Sequence, residues 1–279
     1  MPFNSWPVVE RQIKMTTDKI KVTRSLHWES DNVFKIDDVT FVVETGEALY
    51  GSESGQGIFV IGKSRRQLET IQELDYHKPV RRIFDLGIYK GGSVMFYHKL
   101  FSPEKIVAVD LDSRPVEPLE GYIRNNGLDG IIRTYYGVNQ ADKNVMQRIL
   151  QDEAGDAFFD LVVDDASHFL KETRISFNML FPHVVPGGFY IIEDWGWAHW
   201  RNEYWQDKGG PWPKDPPLTN LVFEVTMLLA SRPDLIESVY LLPAYAVIKR
   251  GPGRIDRTPD GFDLSTCYLN RGKKATLLS

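Results

Sequence analysis

Two pairs of acidic side chains stand at the ends of two apolar runs in this sequence. Asp164 and Asp165 follow the first run, and Glu193 and Asp194 follow the second. If both runs are strands of one parallel sheet, their carboxyl ends meet at the crevice where α/β folds bind ligands. The sequence therefore predicts that up to four carboxylates converge there.

Four bare anions cannot share a partly buried cleft, so protons or a cation must neutralise them. A hard divalent ion such as Mg²⁺ prefers oxygen ligands and keeps coordination positions free for substrate hydroxyls, whose pKa it lowers. We predict Asp165, Glu193 and Asp194 as its ligands. We predict His168 as a general base, because imidazole titrates near neutral pH.

Purely structural interpretations of the same residues are also open. Asp165 could cap the helix that carries His168, the acidic pair at 193–194 could be a solvated strand end, and His168 could be a packed core residue. The metal site is favoured because both acidic pairs and a titratable base fall at strand ends that the predicted fold makes neighbours.

A glycine turn follows the first predicted strand of the core. Its sequence, DLGIYKGGS, has the spacing D-x-G-x-x-x-G-G-S and not the G-x-G-x-x-G of a pyrophosphate-binding turn. Glycines let the backbone approach a ligand, and an acid before the turn suits a cofactor with an ammonium group, as S-adenosylmethionine has. We predict Asp85, Gly87, Tyr89, Gly91 and Ser93 as cofactor-binding residues; the alternative is a turn without a ligand.

Polar residues after the next strands extend the predicted cofactor site. Asp110, with Asp112 as second choice, ends a neighbouring strand, where a carboxylate can accept hydrogen bonds from both ribose hydroxyls. Asn139 and Gln140 follow the third strand and could face the adenine. Asp164 completes the predicted set.

The elements that must position these residues run from about residue 81 to residue 250, where short β-rich runs alternate with helical stretches. This pattern predicts a doubly wound α/β core with a mostly parallel, seven-stranded sheet. Only Pro243 and Ala244 separate the last two strands, so these must be antiparallel. Such a final hairpin resembles the class I methyltransferase topology, not a dinucleotide dehydrogenase. The predicted strands are 81–86, 105–111, 131–137, 158–165, 187–194, 237–242 and 245–250.

The rest of the chain divides around this core. Residues 1–78 are expected to form a cap or oligomerisation segment with a small hairpin at 33–45, residues 79–250 the core, and residues 251–279 a polar tail. The single cysteine, Cys267, excludes an internal disulfide and a thiolate metal cluster.

Composition narrows the class of partner. The net charge is only −5 and the basic residues are dispersed, which argues against a nucleic-acid binder and favours a small-molecule substrate. Neither a signal peptide nor a run of about 18 apolar residues is present, so we expect a cytoplasmic protein without a membrane partner.

Four segments, DLGIYKGGS, VAVD, DLVVDDASH and VPGGFYIIEDW, together resemble the macrocin O-methyltransferase family, whose members methylate sugar hydroxyls of macrolides and related antibiotics. The resemblance covers roughly residues 81–200. It implies S-adenosylmethionine and Mg²⁺ as cofactors, Asp165, Glu193 and Asp194 as metal ligands, and His168 as the base. The family usually has glycine where Ala166 stands, a change that leaves these side chains in place.

The segment after the second acidic pair is rich in aromatic residues. Five of the seven tryptophans fall within 195–217, and rigid aromatic faces stack on sugar rings. We predict an acceptor-binding lid over 195–217, in which Trp195, Trp197, His199 and Trp200 contact the acceptor. The alternative is that these rings bury a subunit interface or join the cap to the core.

Together these features predict an S-adenosylmethionine-dependent O-methyltransferase of antibiotic biosynthesis that acts on a sugar of a glycosylated natural product. The family resemblance also suggests a homo-oligomer. An S-adenosylmethionine-binding protein without methyl transfer is the first alternative. A nicotinamide-dependent oxidoreductase is the second.

Overall fold

The fold is described from a computed structural model, which covers residues 24–46, 48–201, 203–206 and 215–272. Trp212 and parts of the predicted cap, lid and tail lie outside these described residues. Within them, no helix is long and apolar enough to cross a membrane.

A seven-stranded sheet forms the centre of the molecule. Five parallel strands, β5 to β9, are followed in space by β11 and β10, which are antiparallel to their neighbours; the order is β10-β11-β9-β8-β5-β6-β7. The predicted fold, including its final hairpin, is confirmed. The strands are β5 (Arg82–Leu86), β6 (Lys105–Asp110), β7 (Ile132–Tyr136), β8 (Phe159–Asp164), β9 (Val184–Glu193), β10 (Ile236–Leu241) and β11 (Tyr245–Arg250).

Helices cover both faces of this sheet, because successive strand residues alternate between two apolar clusters. Helices α2, α3 and α4 pack on one face, and α5, α6 and α8 on the other. The helices are α1 (Ala48–Gly51), α2 (Arg65–Glu73), α3 (Gly92–Phe101), α4 (Glu117–Asn125), α5 (Lys143–Glu153), α6 (Leu170–Leu180), α7 (Glu203–Gln206), α8 (Thr219–Ser231) and α9 (Leu264–Cys267), with 3₁₀ turns at Phe181–His183 and Trp197–His199.

A second, four-stranded sheet precedes the core. Its strands are β1 (His27–Trp28), β2 (Val33–Ile36), β3 (Val39–Val43) and β4 (Ile58–Ile61), in that order. The hairpin predicted at 33–45 is confirmed as β2 and β3, with Asp37 in the turn at a φ of 52°. Strand β4 then joins β3 in parallel.

Aromatic packing fuses the two sheets. Phe34 and Phe41 stack with their ring centroids 4.8 Å apart, and both meet the edge of Phe96 on α3. All three rings are fully buried, and each contributes about 1.5–3 kcal/mol to stability by the hydrophobic effect. The segment predicted as a cap therefore shares the core that carries the glycine turn. At the other end of the chain, Phe262 and Leu264 of the tail are buried against the opposite face.

We expect Phe41→Ala to lower the free energy of unfolding by about 3–5 kcal/mol, because it removes a fully buried ring between two others. Urea denaturation followed by tryptophan fluorescence and circular dichroism measures this loss. Phe223→Ala, which truncates a ring that is 51% exposed on α8, is the matched control. Two separate transitions, or a loss no larger than in the control, would show that the N-terminal sheet folds independently.

Candidate active site

The glycine turn between β5 and α3 lies against two neighbouring segments. Gly87 has a φ of 104°, and a Cβ built on it would lie 2.2 Å from the Asp165 carbonyl oxygen. A Cβ on Gly92 would lie 2.1 Å from the Val60 carbonyl oxygen of β4. Glycine at these two positions therefore lets the end of β8 and the end of β4 reach the turn.

Asp85, predicted to face the cofactor, is fully buried behind the turn. It accepts a hydrogen bond from the Ser93 hydroxyl at 2.7 Å, and burial raises its pKa to about 7. Its second carboxyl oxygen has no hydrogen-bond partner among the described residues. Asp85 therefore supports the turn from inside the core and does not line the cleft.

Asp110 joins the end of β6 to the glycine turn. One carboxylate oxygen accepts hydrogen bonds from the Ile88 and Tyr89 amides at 2.8 and 2.7 Å, and the other accepts one from the Asp112 amide. Asp112 itself pairs with Arg114 at 2.6 Å. Asp110 thus lies at the end of β6 and fixes the turn.

A polar network lies beneath the site. Asp164 is buried and accepts hydrogen bonds from Ser176 at 2.5 Å, Tyr190 at 3.0 Å and the Gln140 amide at 3.1 Å; burial raises its pKa. The side-chain oxygen of Gln140, Oε1, accepts a hydrogen bond from the Ser167 backbone amide at 2.8 Å. These two predicted cofactor residues therefore hold the loop that leads to His168.

One cleft of about 550 Å³ brings the glycine turn and the acidic residues together, a volume within the usual range for small-molecule sites. Of the predicted cofactor residues, Asp85, Gly91, Asp112 and Asp164 do not line it. The predicted residues that do are Gly87, Tyr89, Ser93, Asp110, Asn139, Gln140, Asp165, His168 and Asp194.

Asp165, His168 and Asp194 form a compact group at this cleft. One possible ligand atom from each lies within 4.8 Å of those of the other two, and His168 Nε2 is 3.8 Å from an Asp165 carboxylate oxygen. His168 and Asp194 have φ values of 58° and 52°, in the left-handed region that costs non-glycine residues energy. Burial raises the pKa of Asp194, as does the neighbouring Asp165 carboxylate. The carboxylate oxygens of Asp165 and Asp194 fit a hard divalent cation, which prefers oxygen ligands.

Lys63, just after β4, is a member of the site that the sequence analysis missed. Its Nζ is 2.6 Å from a carboxylate oxygen of Asp165 and 2.6 Å from one of Glu193. Glu193, predicted as a metal ligand, is 1% exposed, contacts this lysine and is not one of the three residues in the compact group. The sequence did carry a signal for this residue, because the apolar run of β4 is followed directly by Gly62 and Lys63. That run lies in the segment predicted as a cap.

The aromatic residues predicted to bind the acceptor do not line the cleft. Trp197 is 3% exposed, so its ring cannot stack on an acceptor in this conformation; its indole N–H donates to the His168 carbonyl at 3.0 Å. Trp195 donates to the Leu242 carbonyl at 2.8 Å. The His199 ring lies 2.7 Å from the Thr219 hydroxyl, and Trp200 packs edge-on against Trp205.

The strand order, the glycine turn after the first core strand and the acid at the end of the second define a class I methyltransferase fold. No family model matches the chain. Mycinamicin VI 2''-O-methyltransferase of Micromonospora griseorubida is 35% identical over 210 residues, which are 71% of this chain and 46% of that protein. Demethylmacrocin O-methyltransferase of Streptomyces fradiae is 30% identical over 133 residues, 45% of this chain and 30% of that protein.

Among solved structures, the MycE methyltransferase from the mycinamycin pathway, in complex with Mg and SAH, is similar to this chain with a TM-score of 0.49 and 25% identity. The match covers 68% of this chain and 51% of that one. The curated relatives confirm the resemblance to the macrocin O-methyltransferase family. The chain spans less than half the length of these relatives.

Gly87→Ala is expected to destabilise the protein by more than about 2 kcal/mol, because it combines an unfavourable φ with a collision against the Asp165 backbone. Thermal unfolding monitored by circular dichroism measures the effect. Gly121→Ala in α4 is the control, since a Cβ there meets no atom within 4 Å, and it should be neutral or stabilising. Equal melting temperatures for the two variants would contradict the close approach at Gly87.

Proposed function

We propose that the chain is an S-adenosylmethionine-dependent O-methyltransferase that methylates a sugar hydroxyl of a glycosylated natural product. The observation that carries the proposal is a single cleft lined both by the glycine turn with Asp110 and by Asp165, His168 and Asp194. Donor and acceptor would thus be held side by side. The named activities of the curated relatives support the same reaction.

The glycine-turn half of the cleft suits S-adenosylmethionine. Gly92 and Ser93 at the start of α3 line this half, and the first N–H groups of a helix, which have no partner within the helix, suit the methionine carboxylate. Asp110, Asn139 and Gln140 line this half of the cleft. We propose that Asp110 accepts hydrogen bonds from the ribose hydroxyls and that Asn139 and Gln140, which follow β7, face the adenine. The apolar side chain of Leu111, which is exposed at this edge, adds a surface for the base.

The acidic half suits Mg²⁺, with Asp165, Glu193 and Asp194 as the proposed ligands. When bound, the ion would supply coordination positions for the acceptor hydroxyl and lower the pKa of that hydroxyl. The protein's own contribution is to hold these carboxylates at the ends of β8 and β9, next to the donor half of the cleft.

His168 is the proposed general base. Its side chain is 23% exposed and faces the same cleft as the glycine turn. The hydroxyl oxygen attacks the methyl carbon, the bond from that carbon to the sulfonium sulfur breaks, and the proton passes to the imidazole. The products are the methyl ether and S-adenosylhomocysteine, and the protein acts mainly by orientation and water exclusion.

The acceptor contacts and assembly complete the proposal. Three predicted acceptor-binding residues, Trp195, His199 and Trp200, follow Asp194 in the chain but do not line the cleft. We propose that they contact parts of the acceptor beyond the reacting sugar. For the whole protein we propose a cytoplasmic homo-oligomer that acts on a small-molecule substrate.

His168→Ala should lower kcat for methyl transfer by about 10²–10⁴-fold, because the proton loses its acceptor. The assay uses labelled S-adenosylmethionine, Mg²⁺ and a panel of glycosylated macrolides and rhamnosylated polyketides, with mass spectrometry of the products. Chelation of Mg²⁺ should also abolish the product. Calorimetry should show that the variant still binds S-adenosylhomocysteine.

His27→Ala, at an exposed position of β1, is the matched control and should keep full activity. Full activity of His168→Ala would remove this residue as the base, and full activity with chelator would remove the metal. Binding of the cofactor without any methylated product from the panel would favour an S-adenosylmethionine-binding protein of another function.

Trp197→Phe should lower kcat by up to about tenfold without changing the affinity for S-adenosylhomocysteine, because it removes one hydrogen bond that holds the His168 backbone in its left-handed conformation. Steady-state kinetics and calorimetry test this positioning role. Trp28→Phe on β1 makes the same chemical change away from the cleft and should have no effect on kcat. A changed KM for the acceptor with unchanged kcat would instead place Trp197 in acceptor binding.

A further inference from the structure

Glu172 lines the cleft together with the residues that have proposed roles in it. It lies in the first turn of α6, where the helix dipole stabilises a negative charge. The dipole explains an acidic residue at this end of the helix but does not require its side chain to face the cleft. Within the part of the chain that the structure describes, the Glu172 carboxylate makes no hydrogen bond or ion pair. It therefore offers acceptor oxygens to a ligand of the cleft.

The contacts of Gln140 show which end of the cleft Glu172 faces. The side-chain nitrogen of Gln140 donates to the Ser176 hydroxyl of α6 at 3.0 Å. Glu172 and Ser176 are four residues apart, so both lie on the face of α6 that contacts Gln140. Because α6 begins at the loop that follows β8, Glu172 is one turn nearer the cleft than Ser176. It therefore lies beside the segment 138–140, where the adenine is proposed to bind.

Most other polar side-chain atoms at this end of the cleft are already hydrogen-bonded. Gln140 is held by the polar network beneath the site. The side-chain oxygen of Asn139 accepts from the backbone amide two residues further on at 2.8 Å, and the Ser167 hydroxyl accepts from the amide two residues beyond it at 3.3 Å. The Asn139 side-chain nitrogen and the Glu172 carboxylate remain available. This end of the cleft thus presents one donor group and one acceptor group to a ligand.

The edge of an adenine base has the complementary pattern. Its exocyclic amine donates hydrogen bonds, and the neighbouring ring nitrogens accept them. A carboxylate is a strong acceptor for such an amine, because hydrogen bonds to charged groups are stronger than neutral ones. The apolar side chains of Val138 and Leu111 line the same cleft and suit the faces of the ring. Shape and polarity at this end therefore fit adenine, with Glu172 at the amine.

We propose that Glu172 is a specificity-determining residue that accepts a hydrogen bond from the exocyclic amine of the adenine. The Asn139 side-chain nitrogen donates to a ring nitrogen of the same base. An ionised carboxylate has no donor, so a purine without the amine leaves Glu172 unpaired in the occupied cleft. This inference rests on the proposed cofactor site and names the side chain that distinguishes adenine from other purines.

The test uses isothermal titration calorimetry on the full chain with two ligands, so its outcome does not depend on methyl transfer. One ligand is S-adenosylhomocysteine, and the other is its analogue with hydrogen in place of the 6-amino group. The wild type should bind S-adenosylhomocysteine about 10–100-fold more tightly than the analogue, because only the former donates to the carboxylate.

Glu172→Met keeps the length of the side chain and removes both acceptor oxygens. The variant should bind the two ligands with affinities within about threefold of each other, because the loss falls on S-adenosylhomocysteine alone. Glu172→Gln keeps one acceptor oxygen without the charge and should retain a preference of about 3–10-fold for S-adenosylhomocysteine. This intermediate value separates the acceptor role from a general effect of the substitution.

Glu117→Met is the matched control. Glu117 is an acidic residue in the first turn of α4, and its side chain is 78% exposed and does not line the cleft. The substitution removes the same favourable interaction with a helix dipole as Glu172→Met does. It should therefore leave the affinities for both ligands unchanged.

Equal affinities of the wild type for the two ligands would overturn the proposal, and so would an undiminished preference in Glu172→Met. Equal weakening of both ligands by Glu172→Met would also overturn it and make Glu172 a support of α6. A wild type that binds neither ligand would contradict the proposed cofactor site, and the role of Glu172 with it. That result is distinct from the loss of discrimination alone.

Discussion

The structure depends on one electrostatic constraint, the convergence of buried carboxylates at the ends of β8 and β9. Glu193 is buried, Asp165 and Asp194 are partly buried at the edge of the cleft, and burial raises the pKa of Glu193 and of Asp194. Such a group is stable only with cations close by. The chain provides one through Lys63 and leaves room for another beside His168. The chemistry of the site depends on how much of this negative charge Lys63 neutralises and how much remains for a bound cation.

The remainder of the fold brings these groups together. Close backbone approaches at Gly87 and Gly92 join three segments that are distant in sequence, and the Phe34–Phe41–Phe96 packing holds the N-terminal sheet against α3. The left-handed conformation of His168 is sustained by the hydrogen bond from Trp197. Strain at the site is thus supported by packing around it, as is common where geometry serves function.

The sequence predicted the sheet, its final hairpin and the strand ends that carry Asp110, Asp165 and Asp194, because strand periodicity and parallel topology are local or rule-bound properties. It could not predict that Lys63 enters the site, because that contact is made by tertiary packing between two sheets. The same limit explains the tryptophans. Their density suggested an exposed binding face, whereas Trp197 satisfies its indole N–H inside the core. Buried polar contacts of this kind leave no periodic signal.

The central claim is that a divalent ion and the cofactor occupy the two halves of one cleft. The most direct measurement is a crystal structure of the chain with Mn²⁺ and S-adenosylhomocysteine, in which the anomalous signal locates the ion. The account predicts one peak bound by carboxylates of the group Asp165, Glu193 and Asp194, with the homocysteine part beside Gly87. An ion bound elsewhere, or a cofactor outside this cleft, would contradict it.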